Sequence, residues 1–337
     1  MRGFLARNPI SILCVLMVTA ILCGHYLLGL FPTPPYQRPT ANPWQQKLVA
    51  RYQSMGLTGD ALGTVSALTL GYKGDLDRGV IQSFQRSGAA HVLAVSGLHT
   101  GIVYGLIVFL LTFGRRYKPL YDETLLRCCQ SALVLVLLWC YAYLTGLTPS
   151  VVRSALMLSL VELARLCHRP PFTLNVVFLS MVLILAIRPT DLFNVSFQLS
   201  YSAVIAIVAF SSILNKQSSQ SNKQSSQSNK QSSNTTYIFR KLGRWVFDLV
   251  WVSLAAQLGT MPFTLYYFHQ LSNYFLLTNL IVLPLATILV PLGLAVLALG
   301  NVPYLGAVLV WCLQNGTELM IASVDWVQSL PGAVVQF

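Results

Sequence analysis

Long apolar runs alternate with short charged joints over most of this chain. A membrane-spanning helix needs about 20 mainly apolar residues, and about nine runs approach that length. The runs cover residues 10–30, 92–113, 128–147, 151–166, 174–187, 195–214, 245–268, 274–299 and 304–327. The pattern predicts an all-α, polytopic transmembrane protein of about nine spans, some of them broken by proline.

One stretch, residues 32–90, mixes polar and apolar positions instead. Prolines between residues 32 and 39 predict an extended linker. Trp44, Leu48 and Tyr52 then recur at helical spacing among polar residues, which predicts an interfacial helix lying along the bilayer surface. Two weaker helices are predicted at the end of the stretch, over residues 61–71 and 76–87.

The pattern divides the chain into three parts. They are an N-terminal transmembrane helix in residues 1–31, an extracytoplasmic or interfacial linker in 32–90, and a membrane domain in 91–330. Within the last part, residues 215–234 repeat the string NKQSSQS. The period of seven has no apolar position from which to form a coiled-coil seam, so we predict a disordered polar loop there.

Composition excludes a water-soluble globular protein. Hydrophobic residues make up 55% of the chain and charged residues 9%, and the mean hydropathy is +0.62. Such a chain cannot cover a water-facing surface with charge. Its cysteines have no zinc-site or disulfide spacing, so we predict neither a metal nor a cofactor.

The formal charge of +12 suits both anionic lipid and a polyanionic substrate. Most basic residues fall in alternate loops, near residues 115–127, 165–169 and 216–244. Because basic loops stay in the cytoplasm, this distribution predicts a cytoplasmic amino terminus. The linker 32–90 is basic as well and is the exception to the scheme.

The string HVLAVSGLHTGIVYGL places His91, Ser96 and His99 at the start of an apolar helix. Polar groups at membrane depth usually face a partner or a substrate route. Ser96 and His99 could be a nucleophile and its base, although no Asp or Glu is near in sequence to orient the imidazole. They could also bond across helices that Gly97 and Gly101 allow to approach, or line a conduit. All three interpretations remain open.

The string TGLTPSVVRSALM predicts a helix that begins inside the membrane region, with Thr148 as its cap and Pro149 in its first turn. Its free N–H groups, near Pro149 and Ser150, predict an anion site. Arg153 follows one turn later, and it either pairs with a carboxylate or contacts substrate. The candidate carboxylates are Glu162, Glu318 and Asp325.

Two further strings carry polar groups into apolar runs. In RPTDLFNVSFQLSYSAV, Pro189 and Asp191 predict a tight turn, Asp191 or Asn194 can cap the next helix, and Gln198 joins several hydroxyls on one helix. In the stretch ending NLIVLPLATILVPLG, prolines predict broken helices of the kind that border transport pathways.

Taken together, HVLAVSGLH, GLTPSVVRSALM, RPTDLFNVSFQLS and NLIVLPLATILVPLG resemble the competence domain of the ComEC-type family, the inner-membrane channel of bacterial natural transformation. The resemblance covers about residues 61–299. It implies a channel without chemistry of its own that passes single-stranded transforming DNA into the cytoplasm. The positions that it marks as functionally important are His91, Ser96, Gly97, His99, Arg153 and Gln198.

The resemblance has limits that shape the expected partners. Many family members carry an OB-like domain and a metallo-β-lactamase-like nuclease domain, and no matching sequence is found here. We therefore expect the channel portion only, a contact with membrane lipid, separate DNA-binding and nuclease proteins, and a homo-oligomer as an open alternative. Two other functions stay open, a transporter of small or lipid-linked molecules and an intramembrane Ser/His hydrolase.

Overall fold

The computed structural model describes residues 9–28, 42–113, 123–168, 174–225, 234–332 and 334–336, and in this part of the chain the fold is almost entirely α-helical. The helices are α1 Pro9–Leu28, α2 Pro43–Ser54, α3 Gly59–Leu70, α4 Arg78–Arg86, α5 Gly97–Phe113, α6 Glu123–Leu144, α7 Pro149–Leu166, α8 Leu174–Ile187, α9 Val195–Ser225, α10 Asn234–Phe268, α11 Phe275–Leu299 and α12 Leu305–Gln328. A 3-10 turn covers Pro189–Phe193, and the strands β1 Gln270–Ser272 and β2 Val334–Gln336 form a small sheet.

The chain folds as two compact units. Of the described residues, the first contains 9–28, 174–225 and 234–270, that is, α1, α8, α9 and α10. The second contains 42–113, 123–168, 271–332 and 334–336, that is, α2 to α7, α11 and α12. The predicted boundary near residue 90 does not separate these units, because residues on both sides of it belong to the second.

Small residues let the helices of the first unit approach closely. A Cβ on Gly259 of α10 would lie 2.7 Å from the backbone oxygen of Ser202 on α9. The hydroxyls of Ser180 on α8 and Tyr201 on α9 are 3.1 Å apart, an interhelical bond inside an apolar interface. Such small-residue contacts and hydroxyl bonds are typical of helices that pack in lipid.

Among the described residues, four helical segments are long and apolar enough to cross a membrane, judged by length and composition. They are Leu126–Leu144, Trp245–Phe268, Phe275–Leu299 and Leu305–Gln328. The shorter apolar segments are Leu13–Tyr26, Gly97–Thr112, Leu174–Ile187 and Val195–Ser211. Nine spans are therefore not confirmed, because a helix as short as Leu174–Ile187 is about 21 Å long against a hydrocarbon core of about 30 Å.

Several predicted boundaries differ from the structure. The span predicted from residue 92 begins at Gly97, since residues 87–96 form turns. Helix α9 continues past residue 214 to Ser225, because the Lys, Gln and Ser residues of the repeat include no helix breaker. The rest of the repeat, the proline linker of residues 32–39 and the basic loop at 115–118 lie outside the described residues.

The linker stretch contributes a fully buried helix to the second unit. Every residue of α3 from Ala61 to Leu70 is buried, among apolar side chains that belong to α2, α5, α6, α11 and α12. Its neighbour α2 begins with a capping box between Asn42 and Gln45. The apolar stripe of α2 that we predicted to rest on the bilayer is divided, since Val49 and Tyr52 face protein at 4% and 0% exposure whereas Trp44 is exposed.

A buried carboxylate ties three helices of this unit together. The carboxylate of Glu162 on α7 accepts hydrogen bonds from the Tyr104 hydroxyl on α5 at 2.6 Å and the Ser131 hydroxyl on α6 at 2.7 Å. Arg165 donates to the Tyr104 oxygen at 2.6 Å, and its guanidinium is 3.6 Å from Glu162. The carboxylate is thereby both hydrogen-bonded and paired, as a buried charge requires.

We expect Glu162→Ala to destabilise the protein by about 2 kcal/mol, because the Tyr104 and Ser131 hydroxyls lose their acceptor in a buried site. Glu162→Gln should cost less, since its amide oxygen still accepts one of the two bonds. Thermal unfolding of the purified protein in detergent measures both changes. The control is Glu318→Ala, which removes an exposed carboxylate from α12. Equal losses for the Glu162 and Glu318 variants would show that the cluster does not tie the helices.

Candidate functional site

The string that begins at His91 enters helix α5 through a buried turn. Ala89, Val92 and Val95 are between 0% and 4% exposed, whereas His91 keeps solvent-accessible surface. The amide N–H of Val92 donates to the Ala89 oxygen at 2.9 Å and closes the turn. His91 therefore precedes the helix and does not share its register, which corrects the helical placement that we predicted from spacing.

Ser96 and His99 form a cap at the start of α5. The backbone N–H and the hydroxyl of Ser96 each lie 3.1 Å from Nδ1 of His99. A backbone N–H can only donate, so Nδ1 is an acceptor and the ring proton is assigned to Nε2. The His99 ring thereby accepts a hydrogen bond from the backbone N–H of Ser96 at the helix end. The spacing of three residues brings the two side chains together.

The same geometry bears on the hydrolase alternative. In a catalytic triad, the histidine nitrogen that does not face the nucleophile is held by a carboxylate. The His99 side chain is 0% exposed, and its Nε2 has no hydrogen-bond partner among the described residues. The described part of the chain thus brings Ser96 and His99 together without the third group that an activated serine requires.

Gly97 brings the starts of two helices side by side. A Cβ at Gly97 would lie 3.1 Å from the hydroxyl oxygen of Ser154 on α7. The predicted close approach therefore occurs at Gly97. It does not occur at Gly101, where a Cβ would meet nothing within 4 Å in the described structure. Tyr104 and Glu162 meet further along the same two helices, so α5 and α7 run parallel, with the start of α5 beside the second turn of α7.

Helix α7 begins as the sequence predicts, with one difference. Gly146 takes the left-handed conformation, at φ +79°, and turns the chain after α6. Thr148 occupies the cap position and Pro149 the first turn, but the Thr148 side chain makes no capping hydrogen bond. The first N–H groups of α7, from Ser150 onward, therefore donate to no hydroxyl of the cap residue. Free N–H groups of this kind can bind an anion.

Arg153 lies one turn after Pro149 and is 3% exposed. The carboxylates named as candidate partners each take part in hydrogen bonds. Glu162 binds Tyr104 and Ser131, as described above, Glu318 accepts from Gln314 at 2.6 Å, and Asp325 accepts from Gln328 at 3.2 Å. Arg153 is buried near the amino end of α7, where the helix dipole is positive.

Gln45 joins helix α2 to this region, and sequence reasoning missed it. It is 4% exposed, its amide nitrogen donates to the Leu70 oxygen at 2.8 Å, and its amide oxygen accepts from the Asn42 N–H at 2.8 Å. The same nitrogen would lie 3.1 Å from a Cβ at Gly146. The sequence signal that could have found Gln45 is a polar amide placed next to the apolar positions of α2.

Gly71 completes the junction. A Cβ there would lie 3.2 Å from the Val95 side chain and 3.3 Å from the Thr145 oxygen. The end of α3, the approach to α5 and the turn between α6 and α7 therefore meet around one glycine in the left-handed conformation, at φ +70°. We call this meeting of α2, α3, α5 and α7 the junction.

Gln198 belongs to the other unit and is not part of the junction. Its amide nitrogen donates to the Leu192 oxygen at 2.9 Å, across the 3-10 turn. Asn194 caps α9, because its side-chain oxygen accepts from the Ser196 N–H at 3.0 Å. The polar residues of this string hold a tight turn, and Tyr201 supplies the interhelical bond described above.

Two observations argue against other binding sites in the described residues. A cavity of about 410 Å³ lies between α3, α4 and α12, and three carboxylates, Asp60, Asp77 and Asp325, line it together with one basic residue, Arg86, so its charge is net negative and disfavours a phosphate. Among the described residues, no group of three or more His, Cys, Asp or Glu side chains could hold a metal ion. The junction is the better candidate for binding an anion.

The fold and the junction define a helical membrane protein in which the start of α5 packs against α7 beside a buried arginine. The family model described as Competence protein matches residues 68–337. The chain belongs to this competence family.

Three relatives are similar to parts of the chain. ComE operon protein 3 of Bacillus subtilis is 32% identical over 243 residues, which are 72% of this chain and 27% of the relative. Recombination protein 2 of Haemophilus influenzae is 26% identical over 68% of this chain and 27% of its own length. An uncharacterized protein of Aquifex aeolicus is 35% identical over 40% of this chain and 30% of its own.

The chain spans less than a third of the length of each relative. No solved structure matches it.

We expect Gly97→Val to destabilise the second unit, because the added methyl groups meet the Ser154 hydroxyl. Overpacking of this kind costs about 1–3 kcal/mol. Ser154→Gly should restore much of that loss in the double variant, since it removes the obstructing side chain. Thermal unfolding of the two single variants and the double variant measures the coupling. Gly101→Val, at an open position of the same helix, is the control. Simple additivity would contradict the contact.

Proposed function

We propose that this chain is the membrane-channel portion of a DNA-uptake system for natural competence, which passes single-stranded DNA into the cytoplasm. The observation that carries the proposal is the junction, where the start of α5 packs against α7 beside the buried Arg153, in a chain of the competence family. A DNA strand carries one phosphate per nucleotide, so a route for it needs positively charged groups along its path.

Each part of the junction has a role in this proposal. The N–H groups near Pro149 and Ser150 contact phosphate oxygens, and Arg153 supplies a fixed positive charge below them. Gly97 and Gly71 permit the close packing that brings these groups together. Ser96 and His99 hold the start of α5, and His91 lies at its entrance. Gln198 acts elsewhere, by holding the turn before α9.

The remaining expectations belong to the same proposal. The protein lies in the bacterial inner membrane with its amino terminus in the cytoplasm, and the shorter apolar helices cross the bilayer together with the four longer ones. DNA capture and degradation of the second strand come from separate proteins or from further domains. The names of the relatives support the uptake role, since they refer to the ComE operon and to recombination.

Uptake of labelled DNA tests the function. A competent strain that lacks this gene should take up little DNA into the cytoplasm, and the wild-type gene should restore uptake. Undiminished uptake without the gene would refute the proposal. Retained uptake of DNA with loss of a small-molecule transport activity would favour a transporter instead.

We expect Arg153→Gln to reduce uptake by about tenfold, which corresponds to about 1.4 kcal/mol of lost interaction with phosphate. Arg153→Lys should retain more activity, because it keeps the charge. Arg78→Gln removes an exposed positive charge from α4 of the same unit and should leave uptake unchanged. Protein levels in the membrane are compared in every strain. Equal uptake by the Arg153 and Arg78 variants would remove Arg153 from the pathway.

A further inference from the structure

The exposed face of α2 carries an aromatic ring next to a positive charge. The Trp44 side chain is 50% exposed, and the ammonium of Lys47 lies 4.9 Å from the centre of its ring. Trp44 and Lys47 are one helical turn apart, so both lie on the same face. Neither has a role in holding the fold, because the buried face of α2 consists of Gln45, Val49 and Tyr52.

An exposed tryptophan on an amphipathic helix usually suggests a lipid anchor, but the rest of α2 argues against one. An interfacial helix needs an apolar face for the acyl chains. Val49 and Tyr52 are almost fully buried against protein. Apart from Trp44, the outward positions on the helix are mainly polar and include Gln46, Lys47 and Gln53. No apolar stripe is left for the bilayer.

Helix α2 also begins at the junction. The Asn42 side chain donates to the Tyr143 oxygen at 3.4 Å, near the end of α6, and Gln45 packs against Gly146 in the following turn. Pro149 starts α7 three residues after Gly146. The helix that carries Trp44 and Lys47 therefore packs against the turn that leads into α7.

We propose that Trp44 and Lys47 bind a nucleotide of the transported strand, with a base stacked on the Trp44 ring and a phosphate paired with the Lys47 ammonium. Proteins that bind single strands combine aromatic platforms for the bases with a positively charged path for the backbone. This inference rests on the proposed function for its substrate, and it adds the residues that contact the base. Contacts of this kind tolerate any sequence, since every base has a flat face.

Binding of fluorescein-labelled oligothymidylate to the full chain in zwitterionic lipid nanodiscs tests the inference. Stacking of one base contributes about 1–3 kcal/mol, so Trp44→Ala should weaken binding by about 5-fold to 150-fold. Trp44→Phe should retain part of the affinity, because it keeps an aromatic face. Trp311→Ala is the matched control, since Trp311 is 66% exposed on α12, and it should leave binding unchanged.

An abasic oligonucleotide separates the two contacts. The effect of Trp44→Ala should disappear with this probe, because no base is present to stack. The effect of Lys47→Gln should persist. This variant should also reduce, by about 0.7, the magnitude of the slope of log binding constant against log salt concentration, because one phosphate contact is lost.

Several results would overturn the inference. These are absence of oligothymidylate binding by the wild-type protein, equal binding by the Trp44 and Trp311 variants, and an undiminished Trp44 effect with the abasic probe. Brominated lipid could also quench the fluorescence of Trp44, measured as the difference between wild type and Trp44→Phe. Such quenching would place the ring in the bilayer and would reject the inference. Normal DNA uptake without the gene would refute the proposed function alone, because the binding assay uses purified protein.

Discussion

The second unit depends on one constraint, the high free energy of leaving backbone groups unpaired at helix ends that lie inside an apolar structure. Among the helix ends that meet at the junction, those of α3, α5 and α7 solve this problem differently. Ser96 and His99 bond to each other at the start of α5. Gln45 binds the last carbonyl of α3 through its side chain. The start of α7 receives no hydroxyl from its own cap. A polar ligand would complete the last of these ends.

Three sets of charged side chains in the second unit lie in separate places. Glu162 is surrounded by donors from three helices and leaves little negative field for a passing anion. The aspartates Asp60, Asp77 and Asp325 line a separate cavity beside α4. Arg153 lies at the positive end of α7. The aspartates that line this cavity and Arg153 are therefore carried by different helices.

The sequence predicted the class of fold and most helices, because hydrophobic runs of membrane length leave few alternatives. It also predicted the start of α7, since Thr148 and Pro149 are strong local signals. It failed where a contact depends on distant residues. Val92 belongs to an apolar run, but the pairing of Ser96 with His99 starts the helix at Gly97. Trp44 and Tyr52 have the same apolar character, and only packing shows that one is exposed and the other buried.

The candidate site follows the same division. Gly97, Pro149 and Arg153 were found by local pattern, and Gly97 packs against the helix that carries the other two, whereas Gln198 was found in the same way and lies in the other unit. Gln45 and Gly71 escaped notice, because an amide on a helix and a glycine after one are ordinary in any sequence. Their importance comes from Gly146, Thr145 and Leu70, which are remote in the chain. No local pattern contains that information.

The parallel pair α5 and α7 is fastened at two levels, by the Gly97–Ser154 contact and by the Tyr104–Glu162 bond. Two such attachments prevent the helices from separating like the blades of scissors, so the pair has the mechanical character of a single stiff wall. Helix α2 is held to the same unit through the side chains of Asn42 and Gln45 at its start and through the buried Val49 and Tyr52 along its length. Any rearrangement of the unit would therefore carry α5 and α7 together as one body.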